Sequence, residues 1–296
     1  MEENIINTVT NGNLTNAVTL TLNSIMKNIF LSIDEQVYEL LDNIAFIDND
    51  IFNSIFEKII NNAGGILLIC NALILGIIIF YSINYLFSHL FMSKVDSPSQ
   101  FIFKLIVFSI LMNSAFWLCE QIIYIISLVT KSIQNIGSNI LTQEVTFSNF
   151  MFKINTELYK ENFEISFISF DGIIKSFVST GFINLMFSYS LRYIMIQVFI
   201  ILSPFAFLCL INLKTEWFFK VWIKTFLSLL LEQILVVIIL LLSFCFDYGV
   251  DGIISKILYV GIIYALIKTN NYMYMLFGGI TTSVQSGINS LKRING

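Results

Sequence analysis

Residues 65–87 read GILLICNALILGIIIFYSINYLF, a run of apolar and small residues with no Asp, Glu, Lys or Arg among them. A helix needs about 20 predominantly apolar residues to cross a hydrocarbon core of roughly 30 Å. The run from Gly65 to Phe87 meets that length and is expected to be a membrane-spanning helix. Further apolar stretches lie downstream. Phe101 to Val129 is long enough to tilt, and Trp217 to Phe246 is a full span. Ile173 to Leu213 is about twice the required length and contains Pro204, which removes a backbone donor and marks a natural kink. Ile253 to Ile267 is short, with a continuation through Asn270-Asn271 into YMYMLFGGI.

The composition agrees. Hydrophobic residues make up 56% of the 296 positions, charged residues 12%, and Phe alone occurs 29 times. Mean hydropathy is +0.81. Soluble domains carry about 25% charged residues, so too little polar surface remains here to cover a globule. Soluble enzymes, nucleic-acid modules and disordered chains are excluded. The expected fold is an all-α polytopic membrane protein with about five transmembrane helices plus an N-terminal amphipathic helical region; six spans result if Ile173–Leu213 splits in two.

Residues 1–63 form the most polar region. Leu22, Ile25, Met26, Ile29, Phe30, Ile33, Val37, Leu40, Leu41 and Ile44 recur at three- and four-residue spacing, which places them on one helical stripe. The pattern resumes at Ile51 after the cap-type residues Asp48-Asn49-Asp50. With nine acids against Lys27 and Lys58, attraction to anionic lipid is not the driver, and packing on a partner or on the chain itself is expected. The opening MEENIINTVTNGN lacks a basic segment and short apolar core, so targeting is expected from the internal helices. The organisation is then 1–63, an acidic extracytoplasmic region; 64–129, helices one and two; 130–172, an extracytoplasmic loop; 173–280, helices three to five with a short cytoplasmic turn at 213–217; and 281–296, a cytoplasmic tail. The loop holds Phe147, Phe150, Phe152, Tyr159, Phe163, Phe167 and Phe170, too many aromatics for a solvated linker, and is expected to fold back on the membrane or pack on other subunits.

Orientation follows from Lys and Arg. Segments 92–104, 214–224 and 268–296 hold eight basic and two acidic residues, +6; the opposite segments hold seven basic and 16 acidic, −9. The eight lie in short segments, where the bias acts most strongly. A multi-pass protein of the cell membrane is expected, with its N-terminus outside and its C-terminus cytoplasmic.

Three charges fall inside apolar stretches: Glu120, Arg192 and Glu232. Ionisable groups in the bilayer interior are expensive and usually paired. At about 1.5 Å per residue all three lie roughly 22–30 Å from the cytoplasmic face. An ion-pair cluster of Arg192 with Glu120 or Glu232 is therefore expected, joined by Gln197 and Gln233. It serves helix packing, conduction or substrate contact, and Arg192 snorkels to the outer surface if the third region splits. Cys70, Cys119, Cys209 and Cys245 each lie in apolar sequence without metal-ligand spacing and read as buried free thiols; His89 reads as interfacial. Ala72–Gly76 and Gly261–Ala265 are small pairs that permit close helix approach. No phosphate loop, metal set or nucleophile elbow occurs, so a non-enzymatic protein without cofactor or metal is expected.

Residues 191–242 read LRYIMIQVFIILSPFAFLCLINLKTEWFFKVWIKTFLSLLLEQILVVIILLL. Arg192 and Tyr193 lead an apolar helix to Pro204 with small neighbours Ser203 and Ala206; a polar turn with Trp217 precedes Phe219 and Lys220, and an apolar helix bearing Gln233 follows. In this order of parts the stretch resembles the TrbL-like family, the polytopic inner-membrane channel subunit of type IV secretion and conjugal DNA-transfer systems. The likeness covers about fifty residues and extends to the layout of spans, but the long hydrophilic C-terminal extension of such proteins has no counterpart in the short tail. The resemblance implies a homo-oligomeric, non-enzymatic channel subunit in the bilayer, working with other secretion-system subunits and separate ATPases to move a transient single-stranded DNA–protein or protein cargo. The acidic outside face would repel phosphates, whereas the cytoplasmic cluster Lys214, Lys220 and Lys224 suits ATPase contact or lipid headgroups. Two other readings remain: a secondary transporter or permease, and a membrane-structural or immunity protein whose acidic N-terminal region binds a partner.

Overall fold

A computed structural model describes residues 35–48, 64–91, 97–141, 143–158, 170–212, 214–245 and 252–277, together with isolated positions 18, 20, 21 and 24. Among the described residues the chain is all-helical, without a strand.

The first helix, α1 (Glu35–Ala45), buries Tyr38, Leu41 and Ala45 at three- and four-residue spacing and leaves Glu39 and Leu40 exposed. Of the stripe expected here, Leu41 is buried and Ile44 packs partly against the same cluster, but Leu40 is exposed; the face that the chain's own bundle covers is Tyr38, Leu41 and Ala45. Its continuation on 1–34 and 49–63 lies outside the described residues.

Helices α2 (Gly64–Phe91) and α3 (Pro98–Asn113) form an antiparallel hairpin. Tyr81 stacks on Phe101 with ring centroids 3.7 Å apart, and near the other end Asn71 Nδ2 lies 3.4 Å from Asn113 Oδ1. Along α2 Leu68, Leu75, Ile79 and Leu86 stay exposed while, among its described side chains, only Cys70 is buried. A helix apolar all round belongs in lipid.

The expected second span is divided at Ser114 and runs further than its sequence bounds. After the break, α4 spans Ala115–Leu141. Backbone bonds cross the junction (Ser114 N to Ile110 O and Leu118 N to Ser114 O, both 3.0 Å). Ser114 Oγ also donates to Ile110 O at 2.9 Å, and Asn113 Nδ2 to Ser109 O at 2.9 Å. Side chains that bond back onto the i−4 carbonyl bend helices, which accounts for the break.

The region 130–172 is correspondingly less of a loop than expected. Its first part continues α4, because Ile133, Gly137 and Leu141 face the bundle while Gln134 Nε2 closes on Val145 O at 3.1 Å. A second helix, α5 (Phe147–Leu158), follows. Phe147 and Phe150 are buried within the same chain, Phe147 against Tyr189 and Phe150 against Phe244 and Tyr259. Phe152 is exposed; Tyr159, Phe163 and Phe167 lie outside the described residues.

Helix α6 (Phe170–Ile201) is a single span. The chain breaks at Leu202, just before Pro204, into the six-residue α7 (Ser203–Leu208) and a 3₁₀ turn at Cys209–Ile211. Six residues cover about 9 Å, so α7 is an elbow packed on α3, α2 and α4 rather than a sixth span. Thr215 Oγ1 donates to Cys209 O at 2.7 Å and Lys214 N to Asn212 Oδ1 at 3.0 Å, closing the turn into α8 (Glu216–Cys245). The last helix, α9 (Gly252–Phe277), passes through Asn270-Asn271 and is longer than its apolar stretch Ile253–Ile267. Gly65–Ser88, Ala115–Leu141, Gly172–Ile201 and Glu216–Cys245 are long and apolar enough to cross a membrane, with Pro98–Asn113 a shorter apolar helix. The expected tail 281–296 lies outside the described residues.

Two buried apolar clusters fill the bundle. One joins α1 and α5 to Ile174–Tyr189, Val236–Phe244 and Tyr259–Leu266; the other joins Cys70, Phe101 and Met112–Ile126 to Ile196–Ile211 and Trp222–Leu230. Between them on α6 and α8 lies a polar layer.

Candidate functional site

Arg192 stands in that layer with none of its surface exposed. Its Nε donates to the carbonyl of Leu229 on α8 at 2.8 Å, and its Nη1 to the carbonyl of Ala45, the last residue of α1, at 3.1 Å. Glu232 Oε2 lies 3.5 Å from Nε. The other carboxylate oxygen accepts from Thr269 Oγ1 on α9 at 3.1 Å, and the same hydroxyl reaches Leu266 O at 2.7 Å. Beside it, Gln233 Oε1 accepts the backbone N–H of Ile47 at 3.1 Å. Helices α6, α8 and α9 are therefore tied to one another and to Ala45 through a single buried ion pair, with Gln233 adding Ile47. Isolated buried charges are strongly penalised, and a pair with further hydrogen bonds is tolerated. A helix C-terminus leaves orphan carbonyls and a partial negative charge, both of which suit a guanidinium.

Two more carboxylates fasten residues 35–48, hereafter the strap. Asp42 accepts from Phe147 N at 2.6 Å, Ser148 N at 3.1 Å and Ser148 Oγ at 2.7 Å, so it caps the first turn of α5 from a distant part of the chain. Burial pushes its carboxyl above the ordinary range, with Glu39 adding to the rise and the bonds from Ser148 and Phe147 opposing it. Asp48 accepts from Ser127 Oγ at 3.1 Å and pairs with Lys131, both on α4. On its other side the strap borders a cleft of about 490 Å³, lined by Asp42, Asn43, Phe46, Ile47 and Asp48 and, across it, by α4 residues such as Thr130 and Gln134.

Of the polar residues expected to cluster, Arg192, Glu232 and Gln233 meet. Glu120 does not join them: it is half-buried on α4 and has no hydrogen-bond or ion-pair partner among the described residues. Equal depth is not equal azimuth, and Glu120 lies beside Cys119, whose side chain faces the elbow cluster. Gln197 lies five positions beyond Arg192, well over one turn, and its buried Nε2 has no partner among the described residues. Tyr193 is half-buried, and Pro204 is buried in the elbow. Trp217 is 63% exposed and packs edge-on against Phe218, while Lys220 pairs with Glu216 at 2.8 Å. Lys214, Lys220 and Lys224 are exposed around the elbow turn.

The tryptophan that organises this end is Trp222. It is buried, donates from Nε1 to Phe199 O at 2.8 Å and stacks on Phe226 at 5.3 Å. Its signal lay in the spacing of Trp222, Phe226, Leu229 and Gln233, all on the buried face of α8. Asp42, Ala45 and Thr269 carry no such signal, since their partners are far away in sequence. The four cysteines are free; Cys70 and Cys119 are buried, Cys209 is partly buried and Cys245 is exposed. Among the described residues no three His, Cys, Asp or Glu side chains gather as a metal site.

No protein-family model, curated protein or solved structure matches this chain.

Proposed function

We propose that this chain is a channel or scaffold subunit of a type IV secretion machine in the cell membrane. It would assemble as a homo-oligomer with other subunits and help a DNA–protein or protein cargo across, while separate ATPases supply the energy. The observation that carries this reading is where residues 191–242 lie. Arg192 and Gln233, far apart within that TrbL-like stretch, hold strap residues two positions apart, Ala45 and Ile47, and Pro204 lies in the elbow between their helices. Arg192, Pro204 and Gln233 of that stretch lie inside the bundle, whereas Trp217 and Lys220 are exposed at its end. With the orientation that the Lys and Arg distribution favours, the strap end faces outside and Lys214, Lys220 and Lys224 face the ATPases.

The test is an in-frame deletion complemented from a plasmid and scored by conjugation frequency in a host whose element transfers. Loss of transfer, restored by the intact gene, supports the reading; unchanged transfer overturns it. A secondary transporter is the second reading, favoured by the buried Arg192–Glu232 pair and the helix breaks at Ser114 and Leu202. Solute uptake by the purified chain in vesicles, with transfer unaffected by the deletion, would select it.

A further inference from the structure

We propose that the strap is a releasable plug: residues 45–47 occupy a polypeptide-reading seat on Arg192 and Gln233, and their withdrawal joins the cleft beside α4 to the buried Arg192–Glu232 pair. This goes beyond the secretion reading and does not rest on it.

The seat reads main chain rather than side chains. One carbonyl, Ala45 O, is bound by a guanidinium, and one amide two residues on, Ile47 N, by a carboxamide. Such contacts recognise the C-terminal turn of a helix followed by an extended residue, and they would serve any segment of that shape with small or aliphatic side chains. The strap is also the partition. Phe46 and Ile47 line the cleft on one side while the backbone of Ala45 and Ile47 meets the buried layer on the other. Behind it Arg192 Nη2 and Glu232 Oε2 are buried without a hydrogen-bond partner among the described residues. Most buried polar atoms are hydrogen-bonded, so an unused donor and acceptor in one pair call for an explanation beyond locking helices. Arg192 Nη2 and Glu232 Oε2 thus keep unused hydrogen-bonding capacity beyond the 3.5 Å ion pair that Oε2 makes with Arg192 Nε. The fastenings on the cleft side, Asp42 on α5 and Asp48 on α4, are polar and reversible.

The experiment uses the full chain in vesicles, with Cys70, Cys119, Cys209 and Cys245 replaced by Ser and Thr269→Cys as reporter beside Glu232. The probe is a charged, membrane-impermeant maleimide, and the readout is the mass of the peptide carrying position 269. Asp42→Cys with Ser148→Cys forms one lock, and Asp48→Cys with Ser127→Cys a second at the other end of the strap. We expect labelling to slow at least tenfold when either lock is oxidised and to recover on reduction. Asp42→Ala with Asp48→Ala is expected to accelerate it, and a synthetic peptide of residues 35–48 to slow it again. Labelling indifferent to both locks, or absent from a folded Asp42→Ala/Asp48→Ala chain, overturns the plug. Acceleration that the peptide fails to reverse overturns the polypeptide seat. Because only the purified chain is used, a negative conjugation result leaves this test intact.

Discussion

The guanidinium of Arg192 donates to the carbonyl of Ala45 at 3.1 Å across 147 positions of sequence. This bond joins the one from Ile47 N to Gln233 in anchoring residues 45–47 within the apolar bundle. The same side chain holds Leu229 O and faces Glu232, so its loss would disturb α1, α6 and α8 directly.

Arg192→Leu is expected to destabilise the bundle by about 3–5 kcal/mol, because Glu232 would remain buried without its counter-charge. Arg192→Leu with Glu232→Leu is expected to recover most of that loss, since both polar groups leave together. Thermal unfolding in detergent checks this; a double variant as damaged as the single would show that the pair is not the unit of stability.

Asp42 gives a pH dependence with a definite sign. Its carboxyl is raised above 3.8, chiefly by burial. An acid with a raised folded value adds stability that is complete below the ordinary value and is lost as pH rises through the raised one. Acidification from neutral towards about pH 4 should therefore hold the strap more firmly relative to Asp42→Asn. The difference in melting temperature between wild type and variant is expected to move in favour of the wild type towards acid, and movement in the opposite direction refutes the assignment.

The two tryptophans of residues 191–242 should separate cleanly. Trp222→Phe removes a bond to Phe199 O within a packed cluster and is expected to cost about 1–3 kcal/mol. Trp217→Phe, at an exposed site, is expected to stay within about 0.5 kcal/mol. Melting curves of the two variants check this; a loss at Trp217→Phe as large as at Trp222→Phe contradicts it.

Glycines provide a packing test. A Cβ at Gly181 would fall 2.8 Å from Ile263 Cγ2 on α9, while one at Gly76 meets nothing within 4 Å. Gly181→Ala is expected to cost about 1–3 kcal/mol by overpacking, whereas Gly76→Ala should be neutral or stabilising by up to about 1 kcal/mol through helix propensity. Melting curves of the two variants distinguish them.

That same contrast shows what was legible in the sequence. Apolar length placed four of the five expected spans, since lipid demands about 20 residues whatever they pack on; the helix over Ile253–Ile267 is not among the four long and apolar enough to cross. The small pairs Ala72–Gly76 and Gly261–Ala265 looked like contact faces, yet Gly76 and Gly261 face open space and the tight approaches belong to Gly137 and Gly181. Composition reports that a glycine is present, not which azimuth faces a neighbour. Depth likewise brought Arg192 and Glu232 to one level but could not exclude Glu120 from their side of the bundle. The strap was half-legible. Its stripe of Leu41 and neighbours announced packing, but nothing local announces that Asp42 caps Phe147 and Ser148 or that Ile47 reaches Gln233. Helix ends such as Leu141 were hidden because α4 continues on tertiary contacts through a polar-looking run.

The most direct test of the central claim, that residues 45–47 close onto a charge within the bundle, is hydrogen exchange of the Ile47 amide in lipid nanodiscs, with Gln233→Leu alongside. The Ile47 N–H is expected to be protected at least a hundredfold over an unstructured chain, with much of that protection lost in Gln233→Leu. An Ile47 amide that exchanges in the wild type as fast as in an unfolded peptide would contradict it.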